Sequence, residues 1–109
     1  MKKGEIWYVE IPKSNGREQS GLRPVIILSE IEANTVIIIP FTSNSQSLKY
    51  PSTLKINSSK NSGLGSGSTA LIFQIRAIDK KRLKNKVGVI ESKELKEIDS
   101  ILKKILKLV

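Results

Sequence analysis

The sequence predicts a small, mostly antiparallel β barrel that carries one C-terminal amphipathic helix. Three features point there. Short segments rich in β-branched and aromatic residues recur up to residue 90, polar Ser/Asn/Gly stretches separate them, and the apolar spacing turns helical only after Ser92. At 109 residues the chain fits a single domain, 1–109, able to bury roughly 60 to 70% of the surface its unfolded form exposes.

The elements follow in order. Gly4 to Ile11 holds Ile6, Trp7, Tyr8, Val9 and Ile11 and stops at Pro12, so it reads as a strand. Residues 13–22 offer little to bury and read as a long polar loop. Arg23-Pro24 opens a strand through Ser29, proline being tolerated at a strand's first residue. Thr35 to Phe41 is apolar enough for both faces to be covered. Thr42 to Pro51 is a second loop, Ser52 to Ile56 a short edge strand, and Asn57 to Ser68, with Gly63, Gly65 and Gly67, a third loop. Thr69 to Ile75 reads as one strand, Asp79 as the N-cap of a short helical turn to Leu83, and Lys86 to Ile90 as the last strand. Ser92 caps a helix whose Leu95, Ile98, Leu102, Ile105, Leu106 and Val109 follow the i, i+3, i+4 rule, with Ile101 beside them and lysines opposite.

Composition narrows the chemistry. The chain has no cysteine and no histidine, which excludes thiol nucleophiles, disulfides and zinc–thiolate sites and removes the commonest general acid/base and the usual catalytic triads. No cofactor or metal is implied. The runs Val25–Leu28 and Val36–Ile39 are far shorter than the roughly 20 residues of a bilayer span, and Met1-Lys2-Lys3 leads into no signal-type apolar region. A soluble, cytoplasmic chain with no membrane role is expected. Against 10 acidic residues stand 19 Lys and Arg, a formal charge of +9, which suits a polyanionic partner. Residues 80–109 hold 10 of the basic residues and 4 of the acidic ones; on the final helix that pattern reads as a solvated face. Gly63-Leu-Gly-Ser-Gly67 does not run from a strand into a helix, so it is not a phosphate-binding loop.

One hairpin carries a geometric inference. The strands around Val25–Ser29 and Val36–Pro40 are joined by the short Ile31–Asn34 connection, so they pair antiparallel. A symmetric loop sets Glu30 opposite Thr35, Ile27 opposite Ile38, Val25 opposite Pro40 and Arg23 opposite Thr42. Opposed residues project from one face with Cβ atoms roughly 4.5 to 5.5 Å apart, which puts a guanidinium beside a hydroxyl where two loops leave the sheet. A one-residue slip separates them. Taken singly, Arg23 reads equally as a surface charge and Thr42 as a turn residue.

Gly4-Glu-Ile-Trp7, Gly16-Arg-Glu-Gln-Ser-Gly-Leu-Arg-Pro24, Pro40-Phe-Thr-Ser43, Gln74-Ile-Arg76, then Asp79-Lys-Lys-Arg-Leu83 with Val87-Gly88, resemble, in that order, the MazF/PemK family of toxin endoribonucleases. The resemblance implies an SH3-like barrel, usually a homodimer, that cleaves single-stranded RNA such as mRNA without a metal and is neutralised by a cognate antitoxin protein. Arg23 and Thr42 match the positions that the family uses for cleavage. The structurally related CcdB-type gyrase poisons lack that pair as used for cleavage; a non-catalytic gyrase poison, or an RNA-binding module with the same fold, is the alternative. Residues 46–66 match nothing in the family pattern, and because that loop helps choose the RNA sequence in relatives, the cut site is not implied. Phe73 stands where some relatives have an acidic residue.

RNA can be cut by its own 2′-hydroxyl attacking the adjacent phosphorus, leaving a 2′,3′-cyclic phosphate and a 5′-hydroxyl. The enzyme aligns the attack, stabilises charge on the phosphoryl oxygens and assists two proton transfers. Arg23 suits the second task, since its planar, permanently charged fork grips phosphate through two hydrogen bonds. Thr42 can donate another, with Ser43 as helper. Glu18 is the carboxylate to test as base; it reads equally as an exposed loop charge or a partner for Arg17. Arg17, Gln19 and Ser20 are candidates for touching phosphate or base edges. Gln74 and Arg76 match a family motif and are candidate RNA contacts, or else make an interior hydrogen bond and a salt bridge to Asp79. Of Trp7 and Tyr8, alternation along the strand sends one to the core and leaves the other for base stacking.

Overall fold

The computed structural model describes residues 1–13, 16, 21–57, 62–64 and 68–108. Among these residues seven strands precede one helix: β1 (Glu5–Ile11), β2 (Gly21–Ile31), β3 (Thr35–Thr42), β4 (Thr53–Ile56), β5 (Ser68–Leu71), β6 (Arg76–Asp79), β7 (Leu83–Val89) and α1 (Ser92–Ile105), with 3-10 turns at Ser45–Lys49, Ile72–Gln74 and Lys80–Arg82. Among the described residues every strand pairing is antiparallel. The order runs β4-β5-β3-β2-β1-β7, with β6 also on β3. The mostly antiparallel β fold with a single terminal helix is the expected one, but the pairings form an open path and the sheet is not closed.

The apolar runs are explained by two cores. Consecutive residues of a strand face opposite ways, so Ile26 and Ile39 enter one cluster while Ile27 and Ile38 enter the other. The first cluster gathers Ile6, Phe41, Ile56, Ala70 and Ile72 around Ile98 of α1, with Leu95, Ile101, Leu102 and Ile105 packed against it. The helical stripe read from the sequence therefore packs on the sheet through these residues. Leu106 lies half exposed beyond the helix, and Val109 lies outside the described residues. The second cluster holds Val9, Ile11, Val25, Val36 and Ile78, flanked by Trp7 and Leu83.

Several boundaries differ from expectation for local reasons. β2 begins at Gly21 because Gly21 and Leu22 still pair with Ile11 and Glu10 of β1. The single strand expected over residues 69–75 is broken. β5 pairs with β3 at Phe41 and Thr42, and β6 pairs with the same strand at Thr35–Ile38; the 3-10 turn Ile72–Gln74 lies in the stretch between the two strands. The expected loop over 42–51 contains the 3-10 turn Ser45–Lys49, capped by the Asn44 side chain accepting from the Gln46 N–H. Asp79 caps Lys80–Arg82 as expected, its carboxylate accepting from the Lys81 N–H at 2.9 Å. Ser92, by contrast, is the first helical residue; Glu91 holds the N-cap position without a side-chain hydrogen bond.

Candidate active site

The hairpin register sets the site. Ile27 pairs with Ile38 and Val25 with Pro40, as the symmetric reading requires. Toward the turn the reading fails: Glu30 lies opposite Val36, and Thr35 opposite Ile31, because a bulge between Ile27 and Ser29 adds Leu28 to β2. The bulge lies on the turn side of Ile27, so it leaves the other end of the ladder in the expected register.

That end stops for a chemical reason. The last β2–β3 pair is Val25 with Pro40, and Pro24, the next residue of β2, has no amide hydrogen to extend the ladder. β3 turns its last residues to β5 instead, Thr42 opposite Thr69. A cavity of about 270 Å³ opens where the ladder ends, lined by Arg23, Thr42 and Ser43 with Tyr8, Leu22, Pro24, Phe41, Leu64 and Ser68. The guanidinium-bearing and hydroxyl-bearing residues expected to be neighbours thus line one cavity, with apolar and aromatic walls around them.

Each group is held differently. Thr42 is buried, 7% exposed, and its Oγ1 accepts the Asn44 backbone N–H at 3.2 Å. That bond orients the oxygen and leaves its hydrogen as the donor. Arg23 is half-buried on β2 opposite Val9, and Ser43 is exposed. Leu64 reaches the wall from a segment in which the buried Ser62 accepts the Leu64 N–H at 3.3 Å. Gly63 between them has φ +70, and a Cβ there would overlap the Val87 carbonyl oxygen. The first glycine of the Gly-rich stretch serves close packing on β7.

The other candidates fall elsewhere. Arg17, Glu18, Gln19 and Ser20 lie outside the described residues. Gln74, in the 3-10 turn before β6, and Arg76, opposite Ile38, do not line the cavity. Arg76 and Asp79 form no salt bridge; Asp79 caps the next turn, and Nη1 of Arg76 is enclosed with no hydrogen-bond partner among the described residues. Trp7 and Tyr8 divide as alternation requires. Trp7 packs against the second cluster and donates its indole N–H to Glu5 at 2.9 Å, whereas Tyr8 is 36% exposed and lines the cavity. The Trp7 hydrogen bond, with Lys86 at 3.5 Å, holds the Glu5 carboxyl below its ordinary range. Leu64 and Ser68 carry no local signal of a site role; the β3–β5 pairing brings Ser68 to the end of β3, and Leu64 packs against the first cluster.

Fold and cavity define a small antiparallel β protein with a cavity lined by an arginine and by the hydroxyl-bearing Thr42, Ser43 and Ser68, where the β2–β3 ladder ends. Among the described residues no helix is long and apolar enough to cross a membrane. Residues 2–106 match the family described as PemK-like, MazF-like toxin of type II toxin-antitoxin system. The endoribonuclease MazF of Staphylococcus saprophyticus is 33% identical over 106 residues, covering 94% of this chain and 88% of that protein. The crystal structure of MazF from Deinococcus radiodurans superposes with a TM-score of 0.82 at 21% identity, covering 98% of this chain and 96% of that one. A mycobacterial endoribonuclease in complex with its cognate antitoxin superposes with a TM-score of 0.72 at 16% identity, covering 98% and 95%. The chain belongs to the PemK-like, MazF-like toxin family.

Proposed function

We propose that this protein is a cytoplasmic toxin endoribonuclease that cuts single-stranded RNA at the Arg23–Thr42 cavity and is neutralised by a cognate antitoxin. The observation that carries the reading is the shared cavity of these two residues in a chain of this family. The 2′-oxygen of the substrate forms a bond to phosphorus as the bond to the 5′-oxygen breaks, giving a 2′,3′-cyclic phosphate and a free 5′-hydroxyl. One proton leaves the 2′-hydroxyl to a base and one reaches the departing 5′-oxygen. Arg23 clamps the phosphoryl oxygens through its fork, and Thr42 donates to the same oxygens. Ser43 adds a hydroxyl at the open side. Glu18 is the carboxylate assigned to take the 2′-proton, with Arg17, Gln19 and Ser20 as flanking RNA contacts. Tyr8 offers a ring face on which a base beside the scissile phosphate can stack.

The protein acts as a homodimer, and an acidic antitoxin segment that orders on contact suits the net charge of +9. The deciding experiment incubates purified protein with a long single-stranded transcript in EDTA and analyses the new ends. Cyclic phosphate and 5′-hydroxyl ends that disappear in Arg23→Ala and fall by at least tenfold in Arg23→Lys support the reading, because lysine keeps the charge and loses the fork. Intact RNA together with inhibited DNA supercoiling would assign a gyrase-poison role instead.

A further inference from the structure

Besides Tyr8 at the cavity, two aromatic rings remain on the surface. Tyr50 and Phe73 are 46% and 44% exposed. Their rings meet edge to face, 5.7 Å between centroids at 61°, and with Pro51 and Ser52 they line a shallow apolar notch of about 190 Å³. Lys49 places its Nζ 5.4 Å from the centre of the Tyr50 ring. A second, polar cavity of about 170 Å³, lined by Asn44, Gln46, Ser47, Lys49 and Tyr50, runs from the residue after Ser43 to this notch.

We infer that Tyr50 and Phe73 form a stacking platform for one unpaired base of the substrate, a few nucleotides from the scissile phosphate, with Lys49 holding a phosphate beside it. The inference rests on the ribonuclease reading and extends it from the cut to the choice of RNA. Its geometry is pinned at both ends. Asn44 donates its N–H to Thr42 and accepts the Gln46 N–H at 3.0 Å. The Tyr50 N–H donates to the Ser47 carbonyl, the Tyr50 carbonyl accepts the Thr53 hydroxyl at 2.8 Å, and the Phe73 N–H donates to the Ser52 carbonyl. The platform is thereby fixed relative to Thr42.

Chemistry favours a nucleic acid on this track. Exposed ring faces, a lysine over one of them and a row of amide and hydroxyl groups are what single-stranded bases and their phosphates require. From residue 33 to residue 78 the sequence contains no acidic residue to repel a phosphate. The face-to-cation arrangement already present at Tyr50 is the one a base and its backbone would extend.

The test compares the wild type with Tyr50→Phe and with the double variant Tyr50→Leu/Phe73→Leu, which keeps apolar bulk and removes both π faces. Steady-state cleavage in EDTA, cut-site mapping on one long transcript, Tm, and binding of a short fluorescein-labelled 2′-O-methyl RNA pool are read for each. The expected result is a rise in KM and in the pool's Kd of about tenfold for the leucine pair, with kcat within about twofold and a broadened set of cut sites. Tyr50→Phe should match the wild type. Should the leucine pair misfold, Tyr50→Ser alone, at an exposed position, should give the same rise. Unchanged KM and Kd in a folded variant overturn the platform. If those values hold while inhibition by an antitoxin weakens, the surface is a protein-docking face and the inference also falls. A wild type that binds the pool through these rings without cleaving RNA refutes the ribonuclease reading and keeps the platform. One that neither binds nor cleaves refutes both.

Discussion

Replacing Thr42 by valine separates the chemical role of its hydroxyl from its structural one. Valine matches the shape and suits a strand, so the 7% exposed position stays filled. Two interactions are lost. The Asn44 N–H loses its 3.2 Å acceptor, but Asn44 is exposed and water can replace the oxygen, so the loss does not exceed the ordinary net worth of a hydrogen bond, about 1 kcal/mol. For a domain of this size that lowers Tm by about 5 °C. The second loss is the hydroxyl donor that the proposed reaction uses at the Arg23 cavity, which Thr42 lines. Removing one such donor to a developing oxyanion lowers kcat about 10²- to 10³-fold, or about 3 to 4 kcal/mol in activation free energy. Thr42→Ser should recover most of the rate and the Tm. The assay is single-turnover cleavage of an end-labelled RNA at saturating protein, with Tm by circular dichroism. A Thr42→Val protein that cleaves within about threefold of the wild type while its Tm falls would show that the hydroxyl only braces Asn44, and the oxyanion role would be abandoned.

Gly63→Ala places a methyl against the Val87 backbone at a left-handed φ; a loss of about 2 kcal/mol is expected, visible as a Tm drop near 10 °C, and weaker RNA binding because Leu64 shifts from the cavity wall. A Tm within about 2 °C of wild type would contradict the packing described. Ile98→Ala empties a fully buried site between α1 and the sheet and should cost about 2 to 5 kcal/mol in urea unfolding, whereas Leu106→Ala, at 50% exposure, should change stability by less than about 1 kcal/mol. Glu5 has a folded pKa below its ordinary 4.5. Its contribution is therefore full above that value and lost as pH falls through the lower folded one. Glu5→Gln should flatten the decline in Tm between about pH 5 and pH 3, and an unchanged acid slope would show that the Trp7 hydrogen bond does not favour the ionised carboxylate.

How much of this was legible in the sequence depended on how local the cause was. Ile26/Ile27 and Ile38/Ile39 announce a sheet covered on both faces, and Leu95, Ile98 and Leu102 announce a helix lying on it. Asp79 was readable as a cap because the capping carboxylate and the amide it accepts lie two residues apart. Counting along a short turn set Arg23 opposite Thr42; the ladder itself ends at Val25 and Pro40, and the two residues share the lining of one cavity. The same counting failed at Glu30, since nothing local marks Leu28 as the bulged residue. The break at Ile72–Gln74 was invisible for a different reason: it is imposed by two separate ladders on β3, a tertiary demand on a segment whose own composition favours a strand. Ser68 reaches the cavity through long-range strand pairing and Leu64 through packing on the first cluster, and Tyr50 becomes notable only once Phe73 is seen against it.

The extra residue at Leu28 has a mechanical meaning. Because the odd count is absorbed midway along the hairpin, an error or a change in length at its tip need not be transmitted to the far end. A turn shortened by one residue can be accommodated by ironing out the kink, leaving Val25 and Pro40 facing each other as before. The chain thus carries its own slack, placed between the turn of the hairpin and the end that borders the cavity.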